Sequence, residues 1–160
     1  MFVLGHVGIG RAIVGARARA LPFVAFAIGA MLPDIVDKPL YYSGLAPDFF
    51  SCTRTLGHTG LFAGLLIAVG LARRSRVCLA AGIACLTHAA LDFALDLRAP
   101  WPGSTAVAFL WPFYSTHFFV FHFDSPADQI FRLWRPDIVL TETIGLGCLI
   151  WEYVRRRPRQ

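Results

Sequence analysis

Apolar residues run through this chain in five long stretches, near 2 to 16, 20 to 36, 57 to 72, 77 to 97 and 138 to 154, each bounded by Arg, Pro or Asp. None alternates strictly between apolar and polar positions, so the two-residue period of a strand is missing and helices are predicted. The stretches are 15 to 21 residues long, at or just under the roughly 20 that cross a hydrocarbon core of about 30 Å. The expected fold is therefore all-α, a polytopic membrane helical bundle of about four to five membrane helices, in one domain over residues 1–160. The first stretch is the shortest and contains Arg11, which leaves its crossing open.

Charge orients the bundle. Arg11, Arg17 and Arg19 form one cluster, Arg73, Arg74 and Arg76 a second, and Arg155, Arg156, Arg157 and Arg159 a third. Two stretches separate each cluster from the next, so the chain goes out and returns twice. Ten of the fifteen basic residues then share one side, which positive-inside makes cytoplasmic, together with the Arg-rich C-terminus. The loops 37 to 56 and 98 to 137 fall on the other side. The longer loop carries Trp101, Phe109, Trp111, Phe113, Tyr114, Phe118, Phe119, Phe121, Phe123, Phe131 and Trp134. Amphipathic rings favour the headgroup level, so this loop is expected to form an interfacial cap over the helix ends.

Composition agrees. Of 160 residues, 56% are hydrophobic and 16% charged, and the mean hydropathy is +0.58, whereas soluble domains carry about 25% charged residues. The net charge of +5 lies in clusters between apolar stretches, so no nucleic-acid partner is expected. Cys52, Cys78, Cys85 and Cys148 form no CxxC pair, which argues against a zinc ribbon or a thioredoxin-type site. The N-terminal MFVLGHVGIGR has no basic n-region and is expected to stay in the mature chain.

In this background five His and eight Asp residues stand out, because an ionisable group in a membrane helix costs several kcal/mol unless paired, metal-bound or facing water. Asp34 and Asp37 lie three apart in Leu32-Pro33-Asp34-Ile35-Val36-Asp37-Lys38-Pro39. They are either ligands or a helix cap and a salt bridge to Lys38. His58 follows Arg54 in Arg54-Thr55-Leu56-Gly57-His58-Thr59. His88 and Asp92 stand at i and i+4, on one helix face, with Asp96 a turn further. The derived topology brings all three clusters, and His6 if the first stretch crosses, to one membrane face. Imidazoles and carboxylates together suit zinc, and also manganese or iron. His6 is either a further ligand or a hydrogen-bonded core residue; Arg54 either clamps a phosphate or anchors at the headgroups. Asp96, His117 and His122 read as interfacial, and Glu142 as a weaker ligand or base.

A His near the N-terminus, an L-P-D-x-x-D element, an R-x-x-x-H-T element, an H-x-x-x-D helix and a W-P-F occur in that order as His6, Leu32 to Asp37, Arg54 to Thr59, His88 to Asp92 and Trp111 to Phe113. This ordered set resembles the LexA-regulated inner-membrane family of metal-dependent hydrolases. It is more distantly similar to zinc-dependent phospholipase C and P1-type nucleases, which the H-x-x-x-D element matches directly. The resemblance implies a multi-pass protein of the bacterial inner membrane, with zinc as the first candidate metal. It also implies metal-assisted hydrolysis of a phosphate ester, lipid or lipid-linked, at the extracytoplasmic face. His58, His88 and Asp92 with Asp34 are the expected ligands, Asp37 the base or the bridge to a second ion, and His6 an extra ligand. Arg54 would assist at the phosphate. The competing expectation is a non-catalytic transporter or scaffold with a structural metal site. A transporter would carry polar residues through to the cytoplasmic face, and a scaffold would close its coordination with four protein ligands.

Overall fold

The computed structural model describes residues 3–45, 49–96, 104–120, 123–133 and 136–156, and its regular structure is all helical. The α-helices are α1 (Gly10–Val14), α2 (Phe23–Tyr42), α3 (Gly60–Ala72), α4 (Arg76–Asp96), α5 (Ser104–Phe109), α6 (Pro126–Leu133) and α7 (Pro136–Arg156). Among the described residues α4 is the one helix both long and apolar enough to cross a membrane; α3 is apolar but has 13 residues.

Helix α4 lies between α2 and α3, and glycines permit the approach. A Cβ on Gly29 of α2 would run into the backbone of Ala81, and one on Gly70 of α3 would meet Leu79 N at 2.6 Å. Only a residue without a side chain lets the helices come so near. The α3–α4 connection is short: Arg74 takes φ 51 and Ser75 N donates to Gly70 O at 2.8 Å.

The second stretch was expected to end near 36, but α2 continues through Pro33 and Pro39 to Tyr42. Side-chain anchors favour the extension. Lys38 Nζ donates to Asp34 Oδ2 at 2.8 Å across one turn. At the end of the helix, Tyr41 Oη accepts from Phe123 N at 2.8 Å and Tyr42 Oη bonds Gln129 Oε1 at 2.9 Å. The first stretch departs further from one continuous helix. It is π-helical over Gly5–Ile9, α-helical in α1 and a 3-10 turn over Gly15–Ala20, with the break at Gly15, φ 65. It runs parallel to α7: Glu142 accepts from Leu4 N and Gly5 N, Gly8 abuts Gly145, and Arg11 pairs with Glu152.

Beside a small apolar core around Phe26, Val7, Ala30, Ala80 and Ala84, polar side chains are enclosed while large apolar ones face outward. Val24, Ile28 and Ile35 of α2, Leu61 and Leu65 of α3, and Leu140, Ile144, Ile150 and Val154 of α7 are exposed, while the largest fully buried side chains include His6, His58, His88, Thr55, Thr105 and Asp37.

The aromatic loop is only partly the expected surface cap. Phe118 and Phe123 are buried and Phe49, Trp111 and Phe118 pack together, with Trp111 and Phe118 stacked at 5.6 Å, beside buried Cys52 and Ala108. Phe113, Tyr114 and Phe131 do face outward. Trp101, Phe121, His122 and Trp134 lie outside the described residues.

Candidate metal centre

Three elements deliver the polar interior. Helix α2 presents Asp34 and Asp37 near its C-terminal end, α4 presents His88, Asp92 and Asp96 at four-residue spacing, and a 3-10 turn, Leu56–His58, presents His58 from between them. The turn is pressed onto α2 at Gly57, where a Cβ would sit 2.7 Å from Pro33 O. Thr59 ends it by capping α3, its Oγ1 accepting from Phe62 N at 3.0 Å. His6 enters from the π-helical segment, the kind of helix irregularity often found at functional sites.

Two overlapping groups of donors result, His6, His88 and Asp92, and Asp34, His58 and His88, and each can hold a metal ion. Both central imidazoles are fixed through Nδ1. His58 Nδ1 lies 2.7 Å from Asp37 Oδ2 and His88 Nδ1 lies 2.6 Å from the Ala30 carbonyl oxygen. A carbonyl only accepts, and Asp37 takes backbone N–H donors on both oxygens, so each Nδ1 donates its proton and leaves a lone pair on Nε2. The two Nε2 atoms then face each other at 3.2 Å. Two lone pairs so close require a positive charge between them. Carboxylate or carbonyl behind the imidazole, open Nε2 in front, is the usual outer-shell arrangement of a metal-bound histidine.

The distances fit an ion. His58 Nε2, His88 Nε2 and Asp92 Oδ2 make a triangle with sides of 3.2, 3.6 and 3.8 Å, whose circumscribed circle has a radius of about 2.05 Å, the length of a zinc–nitrogen or zinc–oxygen bond. Asp34 Oδ1 stands 3.7 Å from His58 Nε2, and His6 Nε2 stands 3.5 Å from Asp92 Oδ1. The His6 ring stacks on His88 at 3.8 Å, but its Nδ1 has no hydrogen-bond partner. It is thus the least firmly oriented of the three imidazoles.

Several residues stand elsewhere than expected. Asp37, read from sequence as base or bridging ligand, is fully buried behind His58. Its oxygens accept from Thr55 N at 2.7 Å, Thr55 Oγ1 at 3.0 Å and Gly57 N at 2.8 Å, besides the imidazole. Its acceptor capacity is committed to orienting the turn. Asp34 makes the expected salt bridge to Lys38 with one oxygen and turns the other toward His58 Nε2 at 3.7 Å. Asp96 is buried rather than facing interfacial water, accepting from Arg54 Nη1 at 2.6 Å, Ser104 Oγ at 2.9 Å and Thr105 N at 2.8 Å. Arg54 also reaches Asp92 Oδ2 through Nε at 3.2 Å, so it braces the carboxylate ladder of α4. Burial alone would lower the guanidinium's pKa; Asp92 and Asp96 outweigh it and hold the group above its ordinary value, fully cationic. Glu142 receives the Leu4 and Gly5 amides, and His117 is exposed beside Thr116, so neither joins the cluster.

Thr55, Ser104 and the Ala30 carbonyl support the site without having been singled out from sequence. The threonine stood inside the R-x-x-x-H-T element, whereas a backbone carbonyl leaves no trace in residue identities. Cys52 is buried with its Sγ donating to the Arg54 carbonyl at 3.0 Å, and burial pushes its thiol up to about 11.

Comparison of the chain with protein-family models, curated proteins and solved structures gives no match.

Proposed function

We propose that this chain is a multi-pass protein of a bacterial inner membrane that uses a divalent ion, zinc first among the candidates, to hydrolyse a phosphate ester of a lipid or lipid-linked substrate. The observation that carries the metal is the opposed Nε2 pair of His58 and His88, each with its Nδ1 proton committed. The apolar outer faces of α2, α3 and α7 around a polar interior support the membrane. The three arginine clusters support its orientation, with the site at the extracytoplasmic face and the C-terminus in the cytoplasm. The motif order shared with the inner-membrane hydrolase family supports the reaction class.

His58, His88 and Asp92 would hold the ion, with Asp34 beside them. A bound ion would lower the pKa of a water toward about 7 and would neutralise charge on phosphoryl oxygens. Asp37 fixes the His58 ring through Nδ1, and Arg54 aligns Asp92 and Asp96. With Asp37 occupied, the base is Asp34: its Oδ1 lies 3.7 Å from His58 Nε2 and its side chain is 14% exposed against 6% for Asp92, so it is the carboxylate that water reaches. Its Oδ1 takes the proton. Lys38 holds the other Asp34 oxygen at 2.8 Å.

The test is phosphate release from a lipid phosphomonoester and from a soluble one by metal-loaded, detergent-solubilised protein. Wild type is expected to hydrolyse the lipid ester, and Asp34→Asn to lose roughly 10²–10⁴-fold in kcat while retaining metal. Undiminished turnover in Asp34→Asn would contradict the role of the base, and no turnover by loaded wild type would contradict the enzyme. Near-complete burial of all three imidazoles, at 1% exposure or less, favours a second reading, a coordinatively closed ion that only ties helices together. Under it His6 completes the shell and loaded wild type is inert.

A further inference from the structure

A separate cavity of about 280 Å³, which shares no lining residue with the His and Asp cluster, opens among Arg11, Arg19, Trp151, Glu152 and Arg155. Three guanidiniums meet one carboxylate there. Arg11 is 2% exposed and its Nε reaches Glu152 Oε2 at 2.6 Å, with a second contact from Nη2 to Oε1 at 2.5 Å, yet its Nη1 has no hydrogen-bond partner. The Arg11–Glu152 pair is internally neutral, so Arg19 and Arg155, both exposed, leave the cavity with a surplus of two positive charges.

The surroundings of the charge specify the anion. Trp151, a 60% exposed residue, lines the cavity with the Arg155 guanidinium 4.3 Å from its ring centroid. Ile150 and Val154, on either side along α7, are exposed as well. A free inorganic anion gains nothing from such a flank. A phosphodiester that carries acyl chains gains from both, the phosphate on the arginines and the chains along the apolar helix face, and an exposed tryptophan is the residue expected at headgroup level.

We propose that this cavity is a binding site for the headgroup of an anionic phospholipid, separate from the metal centre. The proposal rests on the membrane reading of the chain but not on the metal or on turnover. Flotation of wild type with phosphatidylcholine vesicles tests the membrane reading first. Lipid retention is then read by native mass spectrometry of protein from mixed micelles holding equal phosphatidylglycerol and phosphatidylcholine. Wild type is expected to retain phosphatidylglycerol preferentially. Arg19→Gln and Arg155→Gln should each cut that preference roughly fivefold, the equivalent of about 1 kcal/mol for one basic residue at an anionic surface, with metal content unchanged. Both side chains are exposed, and Arg11, itself buried, is left intact. A wild type that floats yet retains the two lipids equally overturns the proposal while leaving the membrane reading standing. So does a preference that neither Arg19→Gln nor Arg155→Gln reduces, or one that millimolar inorganic phosphate abolishes, which would mark a site for small anions only.

Discussion

His88→Ala is expected to abolish metal retention. His88 belongs to both donor groups, its Nε2 is 3.2 Å from that of His58 and 3.6 Å from Asp92 Oδ2, and its Nδ1 is anchored on the Ala30 carbonyl. Loss of an outer-shell partner costs a metal site roughly 10–100-fold in affinity; loss of a directly ligating nitrogen should exceed that. The measurement is metal bound per chain after dialysis against a weak chelator, with His117→Ala as the control, since His117 is exposed and belongs to neither donor group. His117→Ala should match wild type. A His88→Ala protein that folds and keeps wild-type affinity would remove His88 from the site and dissolve the overlap between the two groups.

Substitution of Asp37 should damage both fold and site. In Asp37→Ala the amides of Thr55 and Gly57 and the His58 Nδ1 proton lose a buried acceptor, and each orphaned group costs about 1–3 kcal/mol. A total of about 3 kcal/mol or more is expected, read as a lowered midpoint of thermal unfolding in detergent. Asp37→Asn separates orientation from stability. It keeps the size of the side chain but turns an NH2 toward donors that already face it, so it should fold better than the alanine variant while its metal affinity falls by roughly 10–100-fold. Wild-type affinity in Asp37→Asn would mean that the His58 ring is held by something other than this carboxylate.

The helices were legible because long apolar runs with charged ends leave a chain few alternatives, and α3, α4 and α7 begin or end within a few residues of the stretches that predict them. His88 and Asp92 were legible for a similar reason: four-residue spacing on a helix puts two side chains on one face whatever surrounds them. The roles of the carboxylates were not. Asp34 and Asp37 lie three residues apart on the same helix, yet one opens toward His58 Nε2 and the other is enclosed by the turn that carries His58. The difference is made by backbone amides at Thr55 and Gly57, which no residue type announces. Asp96 was misread as water-facing because its partners, Arg54 and Ser104, are 42 and 8 residues away in sequence and meet it only after folding. The aromatic loop shows the same limit: a run of rings signals an apolar surface, but only packing decides that Phe118 turns inward while Phe113 turns out.

The central claim is that the buried His and Asp residues are a metal centre rather than a proton-sharing polar core. The most direct measurement is the metal content of folded, detergent-purified wild type by mass spectrometry, as isolated and after reconstitution with zinc, manganese or iron. The account predicts about one equivalent or more of a divalent ion per chain, held by nitrogen and oxygen ligands. Folded protein that carries none and takes up none would contradict it, and would leave a shared proton between His58 and His88 as the charge that joins them.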